Sequence, residues 1–127
     1  SKEYGLKIIL GDETAKGVEE EFAIIELDKI AVKGKTEGVT IFTSLGRYEQ
    51  LNQEMSYYST FIQQHDKFLI LYRQQHWGLA LRWLNDLRNE FNGVMADYYT
   101  MMEKRIEALR NEDLPSDWDG VYRATTK

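Results

Sequence analysis

Residues 26–42 have the sequence ELDKIAVKGKTEGVTIF, and this stretch decides how the first part of the chain folds. Apolar and polar residues alternate on both sides of a short charged segment that contains Gly34 and Gly38. Alternation with a period of two residues, interrupted by glycine, is typical of paired strands. The pattern therefore predicts a β-hairpin with strands at about residues 22–32 and 39–45.

The predicted turn of this hairpin carries Lys33 and Lys35 on either side of Gly34. Two ammonium groups beside a glycine could bind a phosphate, because lysine supplies positive charge and glycine lets backbone N–H groups approach closely. The plainer interpretation is a solvated hairpin turn, since polar and charged turns are common. The residues alone favour the plainer interpretation.

The same run resembles the C-terminal end of the catalytic domain of class III nucleotidyl cyclases, the bacterial adenylate/guanylate cyclases. The last two strands of that family commonly contain a leucine-aspartate strand, a Val-Lys-Gly-Lys turn, Thr-Glu-Pro and then Val-x-Ile-Phe/Tyr. Residues 32–37 match this pattern without a gap. Gly38 stands where the family usually has proline, which implies a less rigid start of the last strand.

The chemistry implied by the resemblance is the conversion of ATP or GTP to cyclic AMP or cyclic GMP in signal transduction. In the family, aspartates hold Mg²⁺ or Mn²⁺, and an asparagine and an arginine act at the ribose and the α-phosphate. Only the turn lysine can be carried over, and it falls on Lys33 as a triphosphate contact, with Lys35 as a weaker candidate. The other positions would precede Ser1. We therefore expect no catalytic residue and no metal ligand in this chain, Asp12 and Asp28 included.

Around the hairpin, the sequence predicts a short strand at residues 6–10 and a short helix at residues 13–18 that Asp12 caps. The predicted fold class is α+β. It comprises a partial cyclase-type sheet (strand, short helix, β-hairpin) followed by an antiparallel bundle of about three helices. The resemblance divides the chain into a catalytic-domain piece at 1–46, a helical extension at 47–113 and an extended tail at 114–127.

Apolar residues at helical spacing mark the extension. The first helix is expected within residues 51–75, as one helix or as two with a break at residues 63–66. The second is expected at about residues 77–91 and the third at residues 96–110. Short loops make consecutive helices antiparallel neighbours.

One part of this extension resembles a single tetratricopeptide-type unit. The residues that carry the resemblance are Tyr72, Arg73, His76, Trp77 and Ala80, with Gln75 where a glycine is usual. One unit cannot form a superhelical array, because such repeats need neighbours to bury their faces. The resemblance implies a small packing module that could bind a protein partner.

The tail begins with the only proline, Pro115, and contains the run PSDWDG. Trp118 is expected to anchor the tail on the helices, and residues 121–125 are expected to add a short strand. A helical segment with such a tail also resembles the C-terminal extensions of bacterial adenylate cyclases that carry a sensor domain of the CHASE type. The resemblance implies a cytoplasmic location, within an enzyme that an upstream sensor region could anchor in the inner membrane.

Composition excludes several classes of function. The chain has 127 residues, a formal net charge of −5 and no cysteine. The acidic balance argues against a nucleic-acid binder, and the lack of cysteine excludes disulfides and thiolate metal sites. The two histidines, His65 and His76, are expected to be surface or half-buried residues of a helix, not metal ligands.

Two hypotheses of function remain. The first is the C-terminal part of a cyclase, inactive alone and without a bound metal, whose complete enzyme is a homodimer acting on ATP or GTP. The second is a non-enzymatic helical module that binds a protein. Lys33 distinguishes them, because its loss matters only to the first. In the first case, the hairpin must either pack on the chain's own helices or pair with another copy through a strand edge.

Overall fold

The computed structural model describes residues 3–31, 34, 36–51 and 53–123 of the chain. Within these residues it has a four-stranded sheet and four α-helices, so the predicted α+β class is confirmed. The elements in chain order are β1 (Leu10–Gly11), α1 (Asp12–Val18), β2 (Phe22–Ala31), β3 (Val39–Arg47), α2 (Met55–Arg73), α3 (Trp77–Leu87), α4 (Ala96–Leu109) and β4 (Tyr122–Arg123). Short 3₁₀ segments lie at Tyr48–Gln50 and Glu90–Gly93.

The predicted hairpin is the centre of the sheet, whose strand order is β1-β3-β2-β4. β2 and β3 pair in antiparallel fashion, from Phe22 opposite Arg47 to Ile30 opposite Val39. The register shifts between Glu26 and Asp28, as in a β-bulge. β1 pairs with the outer edge of β3, whereas β4 runs parallel to β2.

The elements before the hairpin differ in detail from the prediction. The strand expected at residues 6–10 is limited to Leu10–Gly11, and the Ile8 carbonyl instead accepts a hydrogen bond from the Thr43 hydroxyl. Asp12 does not cap α1, because the helix begins one residue earlier than expected and Asp12 is its first residue. Its carboxylate lies 3.5 Å from the Lys16 ammonium, one turn further along the helix.

The helices follow the predicted order, and of the two alternatives for residues 51–75 the structure has the single helix, without a break at residues 63–66. α2 is continuous from Met55 to Arg73, because His65 joins Phe61 and Phe68 on its buried face. α3 ends at Leu87, before the predicted limit at residue 91. α4 matches its predicted bounds to within one residue.

One hydrophobic cluster joins the sheet to the helices. It includes Ile25 and Leu27 of β2, Phe61 of α2, Leu84 of α3 and Ile106 of α4. The hairpin therefore packs on the chain's own helices, which is the first of the two arrangements expected for it. Burial of these side chains is the main contribution that stabilises the contact between the two halves.

Candidate functional site

The hairpin turn is the site predicted from the sequence, and the structure describes it in part. Lys33 and Lys35 lie outside the described residues, so the role of Lys33 at a triphosphate stays a prediction. Gly34 has a φ of 86°, a left-handed conformation that a side chain would strain. The turn thus requires glycine at the position that separates the two lysines.

β4 and the residue before it, Val121, contact the same turn. One Arg123 guanidinium nitrogen donates to the Thr36 carbonyl at 3.2 Å. A Cβ atom built at Gly38 would lie 2.6 Å from Cγ2 of Val121. This distance is too short for any side chain, so close packing of the tail explains the glycine at this position. The sequence suggested only that the missing proline makes the strand less rigid.

A buried ion pair holds β2 against α4. The Asp28 carboxylate accepts from the Arg105 guanidinium at 2.5 Å and from the Tyr4 hydroxyl at 2.9 Å. The Asp28 side chain is fully buried, and that of Arg105 is 4% exposed. Burial alone would lower the pKa of Arg105, but attraction to Asp28 contributes to a net rise, so the guanidinium stays charged. Asp28 is therefore part of a structural ion pair.

A second polar contact lies where the β2 register shifts. His65 Nε2–H donates to the Glu26 carbonyl at 2.6 Å, and His65 Nδ1 accepts from the Tyr99 hydroxyl at 2.7 Å. The next carbonyl, that of Leu27, accepts from the Tyr98 hydroxyl at 2.6 Å. His65 is fully buried, so the expectation of a surface or half-buried residue was wrong for it, whereas His76 is exposed.

The environment of His65 also sets its charge. Burial lowers the pKa of its imidazole to about 4, so the ring is neutral at physiological pH. A neutral imidazole with one donor and one acceptor nitrogen satisfies both partners. The spacing of His65 from Phe61 and Phe68 placed it on the apolar face of α2, and that signal could have identified it as buried.

A groove of about 420 Å³ lies between the sheet and α2, and carboxylates from Glu19, Glu26 and Asp66 line it. Burial, together with repulsion from Glu26, raises the pKa of Asp66 to about 6. Arg73 lies 2.7 Å from the Glu26 carboxylate and so already has a partner. The predominance of carboxylates opposes binding of phosphates here.

Within residues 3–31, 34, 36–51 and 53–123, no group of three histidine or carboxylate side chains is placed to hold a metal ion. Over the same part of the chain, none of the helices combines the length and the hydrophobicity needed to cross a bilayer.

Comparison of the chain with protein-family models, with curated proteins and with solved structures found no match. The likeness to cyclases therefore rests on the residues quoted above.

Proposed function

We propose that this chain forms the C-terminal part of a class III nucleotidyl cyclase and that Lys33 contacts the triphosphate of ATP or GTP. The observation that carries the proposal is the run at residues 26–42. Its two flanks form the antiparallel strands β2 and β3, and its Lys-Gly-Lys segment lies in the connection between them. The order β1-α1-β2-β3 also agrees with the end of a cyclase domain as the resemblance implies it.

The proposed chemistry explains why a lysine is useful in this turn. The ribose 3′-hydroxyl attacks the α-phosphorus, a 3′-oxygen–phosphorus bond forms, and the bond to pyrophosphate breaks. Negative charge increases on the leaving pyrophosphate, and a nearby ammonium group stabilises it. Lys33 has this role in the proposal, and Lys35 is a secondary contact.

The remaining parts of the reaction belong to residues outside this chain in the proposal. Aspartates that precede Ser1 hold the Mg²⁺ or Mn²⁺ ions that activate the hydroxyl and bind the triphosphate. The chain alone is therefore expected to turn over neither ATP nor GTP. The proposal also implies a homodimer of catalytic domains and a cytoplasmic location, where both nucleotides are present.

The test is cyclic-nucleotide production by a protein that joins this chain to the preceding catalytic segment, with ATP and GTP in turn. Lys33→Ala is compared with Lys16→Ala. The Lys16 side chain on α1 is 73% exposed, and within the part of the chain that the structure describes it pairs only with Asp12. We expect Lys33→Ala to lower kcat/KM by about tenfold to a hundredfold, the usual effect of losing one charged hydrogen bond. Lys16→Ala should leave turnover unchanged, and both variants should melt as the wild type does.

Two results would contradict the proposal. If the wild-type protein turns over neither nucleotide, the chain is not part of an active cyclase, and a helical interaction module becomes the better hypothesis. If Lys33→Ala and Lys16→Ala have equal effects, the turn lysine makes no specific contact with the substrate.

A further inference from the structure

We propose that the C-terminal tail, residues 114–123, positions the hairpin turn at residues 32–38 for triphosphate binding. In this inference Arg123 and Val121 are positioning residues, because they contact the turn and not the substrate. The inference rests on the proposed function, since it assigns the turn to the triphosphate. It gives the tail and the helices beneath it a role in the same site.

The first contact is between the Arg123 guanidinium and the backbone of the turn. Both oxygens of the Asp119 carboxylate accept from this guanidinium, at 3.2 Å and 3.0 Å. A bidentate pair of this kind fixes the orientation of the planar group. Its Nη2 atom is thereby directed to the Thr36 carbonyl at 3.2 Å.

The second contact is between the strands. Tyr122 pairs with Ile30 and Arg123 with Ala31, and Ala31 is the last residue of β2. Val121 is 8% exposed and packs on the open face of Gly38, directly before β3 begins. The tail therefore contacts the chain immediately before the turn, within it and at its last residue.

The tail is itself fixed to the helices. The ring centroid of Trp118 lies 5.6 Å from that of Tyr72 and 6.2 Å from that of Trp77, so the predicted anchoring of the tail is observed. A Cβ atom at Gly120 would lie 2.7 Å from Cγ of Arg73 on α2. The Arg105 guanidinium carbon lies 3.8 Å from the centre of the Tyr122 ring.

A continuous series of contacts thus runs from α2 and α4 through the tail to the turn. A rigid scaffold is what a substrate-contacting turn needs, because misplacement of a catalytic contact lowers the rate of reaction. The tail supplies part of that scaffold from the far end of the sequence.

The test compares Arg123→Ala with Arg110→Ala. Arg110 is a matched control, since it is also an exposed arginine, directly after α4, and among the described residues its guanidinium pairs only with Glu107, at 3.0 Å. The first measurement, on this chain, is amide hydrogen exchange at residues 29–31 and 39–40, which close the hairpin beside the turn. We expect exchange to be about fivefold faster in Arg123→Ala and unchanged in Arg110→Ala, as for the loss of one hydrogen bond.

The second measurement is nucleotide turnover by the protein that includes the catalytic segment. Arg123→Ala should lower kcat/KM for the nucleotide about fivefold, because a displaced turn holds Lys33 less well against the charge that increases on the leaving pyrophosphate. Arg123→Lys should recover part of this loss, since it keeps a donor but not the bidentate pair.

Unchanged exchange in Arg123→Ala would overturn the inference, whatever the turnover shows. Faster exchange with an unchanged kcat/KM would also overturn it, because the tail would then hold the turn without affecting the reaction of the substrate. If Lys33→Ala lowers turnover and Arg123→Ala does not, the proposed function stands and only this inference falls. If the wild type has no turnover, the proposed function fails and the inference falls with it.

Discussion

His65 is a titratable group that the fold holds in its neutral form. Its ring lies between the Glu26 carbonyl and the Tyr99 hydroxyl, with no exposure to solvent. Protonation would place a charge in a buried site and would remove the acceptor that Tyr99 uses. The imidazole therefore stabilises the fold only while it is uncharged.

We expect the His65 ring to titrate with a midpoint of about 4, well below the ordinary value of 6.5. The measurement is a pH series of imidazole resonances by NMR, in which exposed His76 supplies the second signal. Because the folded-state pKa is depressed, the stabilising contribution is complete above pH 6.5 and is lost as the pH falls toward 4. The loss at pH 4 amounts to roughly 3 kcal/mol. A His65 midpoint at or above 6.5 would show that the ring is not buried as described.

Two buried polar residues show what the sequence could indicate at this scale. His65 and Arg105 both lie on the apolar faces that the helical pattern predicted, and their spacing was the available signal. Their partners could not be predicted, because Asp28 and the Glu26 carbonyl are distant in sequence and meet them only in the folded chain. Lys33 was identified by resemblance, not by any feature of its surroundings.

At the scale of elements, local pattern predicted the hairpin and α4 well because alternation and helical periodicity are properties of neighbouring residues. The parallel pairing of β4 with β2 was not predicted. β4 has only two residues, and its partner lies about ninety positions earlier in the chain, so no local signal specifies the contact. Gly38 was noted as a departure from the family, but its reason is the packing of Val121.

This packing gives a prediction about Gly38 and Val121 as a pair. Gly38→Ala should destabilise the protein by about 1–3 kcal/mol, because the new Cβ would lie 2.6 Å from Val121 unless the tail moves. Val121→Ala removes the colliding methyl groups. In the Gly38→Ala background, Val121→Ala should therefore cost less stability than it does in the wild type, or should raise it.

The measurement is a double-mutant cycle on the free energy of unfolding in urea. Gly17→Ala in α1 is the matched control, since a Cβ there meets no atom within 4 Å. It should be neutral or stabilising, because alanine favours a helix more than glycine does. Additive effects of Gly38→Ala and Val121→Ala would contradict the close packing of the tail on the hairpin.

At the scale of the whole molecule, the sequence suggested a boundary near residue 46, whereas the hydrophobic cluster continues across that position. The Asp28–Arg105 pair also crosses it, between β2 and α4. Periodicity identifies helices and strands but does not show which of them share a core. The sequence therefore could not predict that one hydrophobic core includes residues on both sides of position 46. A boundary defined by resemblance need not be a boundary in folding.

We expect Asp28→Asn to destabilise the entire chain by about 3–5 kcal/mol, because it leaves the Arg105 charge buried without its main partner. Urea unfolding is followed by far-UV circular dichroism and by fluorescence of the three tryptophans, all of which follow residue 46. Both signals should shift equally although the substitution is in the sheet. Asp12→Asn, in an exposed pair with Lys16, should change stability by less than about 1 kcal/mol.

A shift in circular dichroism alone, with fluorescence unchanged, would show that the sheet and the helices unfold as separate units. Equal shifts would show that a substitution in the sheet also destabilises the helices.

The parallel direction of β4 has a practical consequence for anyone who labels this protein. β4 ends at Arg123, beside Ala31, which is the last residue of β2 before the hairpin turn. Its C-terminal end therefore lies at the same end of the sheet as the turn that contains the two lysines. A fluorophore or other label attached at position 123 would lie beside Ala31, close to the proposed nucleotide contact. Under the proposed function, such a group would affect nucleotide binding at the turn. Placed deliberately, it would report on how the turn responds to a nucleotide.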